Sequence, residues 1–103
     1  MILKKKKFNK LNNSNISVLD FSLLKFPLKI RKWQIGDFFY PLGMLKRKKI
    51  NHFLINQKIS IVEKEDIHIV ISRKKIICIL EYRIDERFKI KKKTNIIYQI
   101  KKQ

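Results

Sequence analysis

Four consecutive cations, Lys46-Arg47-Lys48-Lys49, follow directly on an aromatic run, Phe38-Phe39-Tyr40, that is bracketed by Gly36 and Gly43, the two glycines of the chain. The chemistry open to such a cluster is electrostatic: ammonium and guanidinium groups neutralise phosphates and gain affinity by releasing counterions. Beside a rigid Pro/Gly turn, Lys46 to Lys49 read as a phosphate clamp at the start of a helix, where backbone N–H groups also favour anions. The aromatics would anchor the turn in the core and the glycines would let it bend. No bond-making set accompanies them. His52 and His68 are isolated and fit neither a metal site nor a catalytic dyad. Glu63, Glu65 and Asp66 crowd one short segment and read as capping and solvation, not as an acid/base pair. Cys78, in the apolar run IICIL, is expected as a buried, reduced thiol with no disulfide partner or metal.

The whole chain is basic. A formal charge of +18 and a pI near 10.3 over 103 residues favour nucleic acid or an anionic membrane surface as partner. Lys, Ile and Asn dominate the sequence, and a base bias of the genome would supply part of that charge. Arginine, at five positions, is therefore more informative than lysine. Arg31, Arg83 and Arg87 are expected either to contact phosphate or to pair with Asp37 and Asp85 and so brace two loops. No stretch reaches the roughly twenty apolar residues of a membrane span, and MILKKKKF lacks the apolar core of a signal peptide. A cytoplasmic protein without membrane contact is expected.

To position these residues the chain must supply short elements. Residues 1–25 read as a basic lead-in, partly disordered or adding one strand, and 26–100 as the folded domain. In FPLKIRKW, Phe26, Leu28 and Ile30 alternate with Lys29 and Arg31, the period of a half-buried strand, with Pro27 at its start. Gly36-Asp37 and Pro41-Leu42-Gly43 mark turns, Gly43 at a positive φ. Ile50, Phe53 and Leu54 recur at i, i+3, i+4, as on a short amphipathic helix, and Ser60-x-x-Glu63 is a capping box that opens a second. IHIVIS predicts a strand with Ile67, Ile69 and Ile71 opposed to His68, Val70 and Ser72. SRKK predicts a hairpin connection, IICILEY a more buried strand and NIIYQI a last one. The class predicted is α+β: a small, mainly antiparallel sheet or sandwich with one or two short helices.

IRKWQIGDFFYPLGMLKRKKINHFLINQKIS and YRIDERFKIKKKT resemble the C-terminal domain of bacterial tRNA(Ile)-lysidine synthetase. The likeness spans about residues 28–94. It rests on Arg31, Trp33, Gly36, Asp37, Phe39, Pro41, Leu42, Gly43 and Met44, then Lys48 and Lys49, then Phe53 and Lys58. It closes on Arg83, Ile84, Asp85, Arg87, Phe88 and Lys89. The sequence departs from the family pattern near Lys46 and Glu81, where glycine is common, and near Ile61, where a basic residue often stands. The resemblance implies a fold related to a domain of the phenylalanyl-tRNA synthetase β subunit. It also implies the part of the enzyme that grips the tRNA body, with Trp33, Gly36, Asp37, Pro41, Gly43 and Asp85 as structural motif residues.

In that family the ligation chemistry, ATP-dependent attachment of lysine to the wobble cytidine of tRNA(Ile), belongs to a separate ATP-pyrophosphatase domain with a Ser-Gly-Gly-x-Asp-Ser loop. ATP and Mg are thus implied for the full enzyme, and no cofactor is expected in this chain, whose glycines are isolated. The expected role is non-catalytic tRNA binding, through Arg31, Lys46, Arg47, Lys48, Lys49, Lys58, Arg83, Arg87 and Lys89. Expected partners are tRNA, tRNA(Ile) foremost, and a separate catalytic chain. Two alternatives compete: a general basic RNA-binding or ribosome-associated protein, and an unpartnered remnant of the synthetase. A membrane-surface role ranks last for want of a wide apolar helix face.

Overall fold

The computed structural model describes residues 2–4 and 16–101, so residues 1 and 5–15 of the basic lead-in lie outside the described part. The elements run β1 (Ile2–Lys4), β2 (Ile16–Asp20), a 3₁₀ turn (Phe21–Leu23), β3 (Leu28–Lys32), β4 (Phe38–Phe39), β5 (Lys48–Lys49), α1 (Ile50–Asn56) and α2 (Ile61–Lys64). They continue with β6 (His68–Ser72), β7 (Lys75–Ile79), β8 (Arg83–Ile84), a 3₁₀ turn (Glu86–Phe88) and β9 (Ile96–Lys101). The strands form a sheet β3-β6-β7-β8, a sheet β1-β9-β2 and a ribbon β4-β5. All pairings between described strands are antiparallel. The α+β class expected from the sequence is the one observed.

The central four-stranded sheet is covered on both faces. On one, Ile69, Ile76 and Ile79 pack with Phe39 of β4 and with Ile50, Phe53 and Leu54 of α1; the rings of Phe39 and Phe53 meet edge to face at 5.3 Å. On the other, Val70, Ile77 and Cys78 pack with Leu19 of β2, Leu24 and Phe88, and partly with Tyr98 and Ile100 of β9. This explains two departures from simple alternation. Val70 and Ser72, on the face opposed to Ile69 and Ile71, are buried as well, because the β1-β9-β2 sheet covers that side. Ile77 is an extra residue in β7, a bulge between the pairs Val70–Cys78 and Ile71–Ile76, so Ile77 and Cys78 both turn toward the second cluster.

Edge strand β3 differs in the opposite sense: Ile30 is 61% exposed although it alternates with Lys29 and Arg31. β3 pairs only with β6, and its outer edge carries Lys29 and Lys32 at exposed positions, charges that discourage pairing with another chain. Within the lead-in, Ile16–Asp20 is paired to β9 and contributes Leu19 to the core. Asp20 caps the following turn: its carboxylate accepts from Ser22 N–H and Oγ and from Thr94 Oγ1. Burial would raise this carboxyl, and those hydrogen bonds outweigh it and hold it below its ordinary value.

Local chemistry starts α2 and stops α1. Ser60 Oγ accepts from Glu63 N–H at 3.2 Å, the predicted cap of α2. α1 stops in a Schellman arrangement, with Ile59 N–H donating to Leu54 O and Lys58 N–H to Ile55 O. Lys58 thereby takes a φ of +57°, the position usually given to glycine. A side chain there costs about 1 kcal/mol. Lys58→Gly is expected to raise the stability of the domain by about 0.5–1 kcal/mol, read as a higher urea midpoint at unchanged slope.

Candidate nucleic-acid interface

Two glycine turns shape the loop between β3 and α1. Asp37 N–H donates to Gln34 O at 3.0 Å and Met44 N–H to Pro41 O at 2.9 Å, so Gly36 and Gly43 each hold the third position of a four-residue turn, at φ of +99° and +90°. Beyond the adjoining residues, no atom lies within 4 Å of where a Cβ would stand on either glycine. Backbone conformation, not crowding, therefore excludes other residues.

Each turn is clasped by a carboxylate and an arginine. Arg31 donates from both Nη atoms to Asp37, at 2.8 and 2.9 Å, while Gln34 N–H donates to the same carboxylate and Ile50 N–H to the Asp37 carbonyl. Burial would raise the Asp37 carboxyl, but the Arg31 and Gln34 hydrogen bonds outweigh it and hold the group below its ordinary value. The second clasp is deeper. Asp85, 0% exposed, accepts from Tyr40 N–H and from three nitrogens of Arg87: the backbone N–H, Nε and Nη2. Around it Leu42 N–H donates to Ile84 O, Glu86 N–H to Tyr40 O, and Gly43 N–H to the Glu86 carboxylate, which also pairs with Lys89. The Lys89 and Gly43 hydrogen bonds hold the Glu86 carboxyl low.

The aromatic run divides between core and surface. Phe39 is fully buried; Phe38, 41% exposed, carries the Arg47 guanidinium 4.5 Å over its ring, and Tyr40 carries that of Arg87 at 4.4 Å. Such stacking holds an arginine flat and leaves its N–H edges outward. Two grooves meet at Gly36 and Phe38. One is lined by Arg47, Lys48, Lys49 and His52; the other by Lys29, Arg31, Arg73, Lys74, Lys75 and Arg87, with Asp37, Ile71 and Ile76. A continuous cationic surface results. At the start of α1 the first amide, Ile50 N–H, is taken by Asp37 O.

Of the residues singled out from the sequence, the structure brings Arg31 and Arg87 into one groove and Arg47, Lys48 and Lys49 into the other. Lys46, Lys58, Arg83 and Lys89 line neither. Arg83 lies over the Phe53 ring at 5.2 Å, Lys58 closes α1, and Lys46 is exposed on the loop. Trp33 is structural, its Nε1 donating to Lys64 O at 2.7 Å and its ring packing on the α1 side of the core. Lys29, His52, Arg73, Lys74 and Lys75 were not anticipated. Arg73 had a signal: it is the one remaining arginine in a chain with five.

The fold has counterparts among solved structures. It superposes on the crystal structure of a TilS C-terminal domain with a TM-score of 0.75 at 17% identity, covering 99% of this chain and 81% of the other. An N-terminal fragment of the phenylalanyl-tRNA synthetase β subunit from Pyrococcus horikoshii matches at TM-score 0.70 and 17% identity, covering 82% of this chain and 26% of that one. Residues 28–100 match the family described as the TilS substrate C-terminal domain, and the chain belongs to that family. Among its relatives, the tRNA(Ile)-lysidine synthase of Parabacteroides distasonis is 39% identical over 80% of this chain and 19% of its own length. That of Caldanaerobacter subterraneus is 34% identical over 90% and 20%. The chain thus spans about a fifth of the length of the curated relatives it matches.

Both glycines sit in single turns without an adjacent partner to cradle phosphate, and no three His, Cys, Asp or Glu side chains among the described residues group around a metal position. No described helix is long and apolar enough to cross a membrane.

Asp85→Asn should destabilise the fold by about 2–4 kcal/mol, less than the cost of breaking a wholly buried pair because Arg87 keeps a third of its side chain in water; chemical denaturation measures it. The lowered Asp37 carboxyl contributes stability above its unfolded value, near 4, and loses it as pH falls through the folded one. Acid unfolding of Asp37→Asn, followed by circular dichroism below about pH 4, should therefore depend less steeply on pH than that of the parent.

Proposed function

We propose that this domain binds tRNA, tRNA(Ile) foremost, through its backbone, and serves ATP-dependent lysine attachment to the wobble cytidine carried out by a catalytic domain that residues 16–101 do not contain. The observation that carries this reading is the meeting of four of the five arginines, Arg31, Arg47, Arg73 and Arg87, on two grooves that share the Phe38 ridge. Three of the four are fixed, two by carboxylates and Arg47 by an aromatic face. A fixed guanidinium loses little entropy when a phosphate arrives. Recognition is then by shape and backbone charge, with sugar hydroxyls contributing, as suits an RNA whose deep groove side chains cannot enter. The cytoplasm is the compartment this role requires. ATP and Mg belong to the catalytic domain, borne by another part of the enzyme or by a separate polypeptide.

The general RNA-binder differs in selectivity. A domain of the synthetase should prefer tRNA(Ile) over other tRNAs at moderate salt, whereas charge alone would bind any duplex equally.

With about five phosphates neutralised, log affinity for tRNA should fall against log salt with a slope of about −3.5 to −4.5, and a slope near zero would defeat the reading. Lys48→Ala with Lys49→Ala should make that slope shallower by about two at unchanged stability. Lys49 stands at the helix N-cap without a side-chain cap bond, so its loss removes no cap.

A further inference from the structure

The β6–β7 hairpin carries three cations, Arg73, Lys74 and Lys75, on the wall of the groove opposite Phe38 from Arg47. Its loop is as short as a hairpin allows: Ser72 pairs with Lys75, leaving only Arg73 and Lys74 in the turn. Ser72 is buried and fixed at the hairpin base, its Oγ accepting from Lys25 N–H at 2.8 Å and donating to Lys25 O. Arg73 sits at φ +58°, the first turn position that hairpins of this kind give to glycine. A long charged side chain thus occupies a place where the backbone favours none.

The carboxylates of this groove are already engaged. Asp37 is held by Arg31 and Asp85 by Arg87, and among the described residues Lys29, Arg73, Lys74 and Lys75 form no ion pair. Lys29, Arg73, Lys74 and Lys75 thus leave unneutralised positive charge in this groove, across Phe38 from Arg47–Lys49.

Resting on the RNA-binding reading above, we infer that the hairpin groove is a second phosphate-backbone site, so that the two grooves hold the two strands of one RNA duplex astride the Phe38 ridge. An A-form duplex displays both backbones across a wide, shallow minor groove, and a single-residue ridge flanked by cations is complementary to that form. A single strand has one backbone and fills one side.

Fluorescence anisotropy of the full chain with a blunt 12-base-pair RNA duplex, and with one of its strands, at several salt concentrations tests this. Lys74→Ala with Lys75→Ala should make the duplex salt slope shallower by about two, as Lys48→Ala with Lys49→Ala does, and the four together by about four. The parent should bind the single strand with a clearly shallower slope than the duplex. Arg73→Gly should weaken duplex binding while raising the thermal midpoint, a combination that a purely structural arginine would not give. A hairpin double variant that keeps the parent's duplex affinity and slope overturns the inference, as does a single strand bound with the duplex slope. A parent chain that binds neither RNA in a salt-dependent way overturns instead the reading on which the inference rests.

Discussion

Asp85 lies wholly out of water, and its carboxyl group is tolerable there only because four N–H groups converge on it, one from Tyr40 and three from Arg87. The one from Tyr40 joins segments forty-five residues apart, and the three from Arg87 are local. They fix Tyr40 beside the 3₁₀ turn of Glu86–Phe88, and with it the backbone exchange that aligns Pro41 with Asp85. The Gly43 turn, Phe38 on its exposed side and the cations beyond it all take their position from that junction. Removing the carboxylate would leave a guanidinium and a buried amide without acceptors as well as a free loop.

A chain with 26 basic and 8 acidic residues must also contend with its own repulsion. Three of the eight acids are spent at the site itself. Asp37, Asp85 and Glu86 gather at the two clasps, each on one cation and on backbone amides of the glycine-turn loop or its partner segment. Aromatic faces take up further guanidinium groups, Phe38 for Arg47 and Phe53 for Arg83. Repulsion is thus relieved where the backbone must hold its shape and left in force along the grooves, where an anionic ligand would relieve it.

How much of this was legible depended on whether the determinant is local. Ser60 as a cap, the i, i+3, i+4 stripe of Ile50, Phe53 and Leu54, and the glycine turns are short-range events, and the sequence shows them directly. The pairing of Arg31 with Asp37 was one of two open readings, and only the six-residue reach across the Gly36 turn decides it. Burial of Val70 and the bulge at Ile77 depend on a second sheet built from β2 and β9, at opposite ends of the described chain, which no periodicity within β6 reports. The hairpin groove was missed for the same reason: Arg73 is forty-two residues from Arg31, and only sheet topology brings them to one wall.

Glu81 shows the limit of reading conformation from residue type. Glycine is common there in the family pattern, yet Glu81 keeps a φ of +73°, and Lys58 and Arg73 likewise hold left-handed conformations without being glycine. Each terminates or reverses an element whose other end is fixed by the core, so tertiary packing outweighs a local cost of about 1 kcal/mol. In a chain this poor in glycine, its two glycines are kept for φ near +90° and above, where a Cβ is resisted more strongly than in the left-handed helical region. Both stand in the loop that carries Phe38 and Arg47, so the backbone's most demanding conformations are concentrated where the cationic surface is shaped.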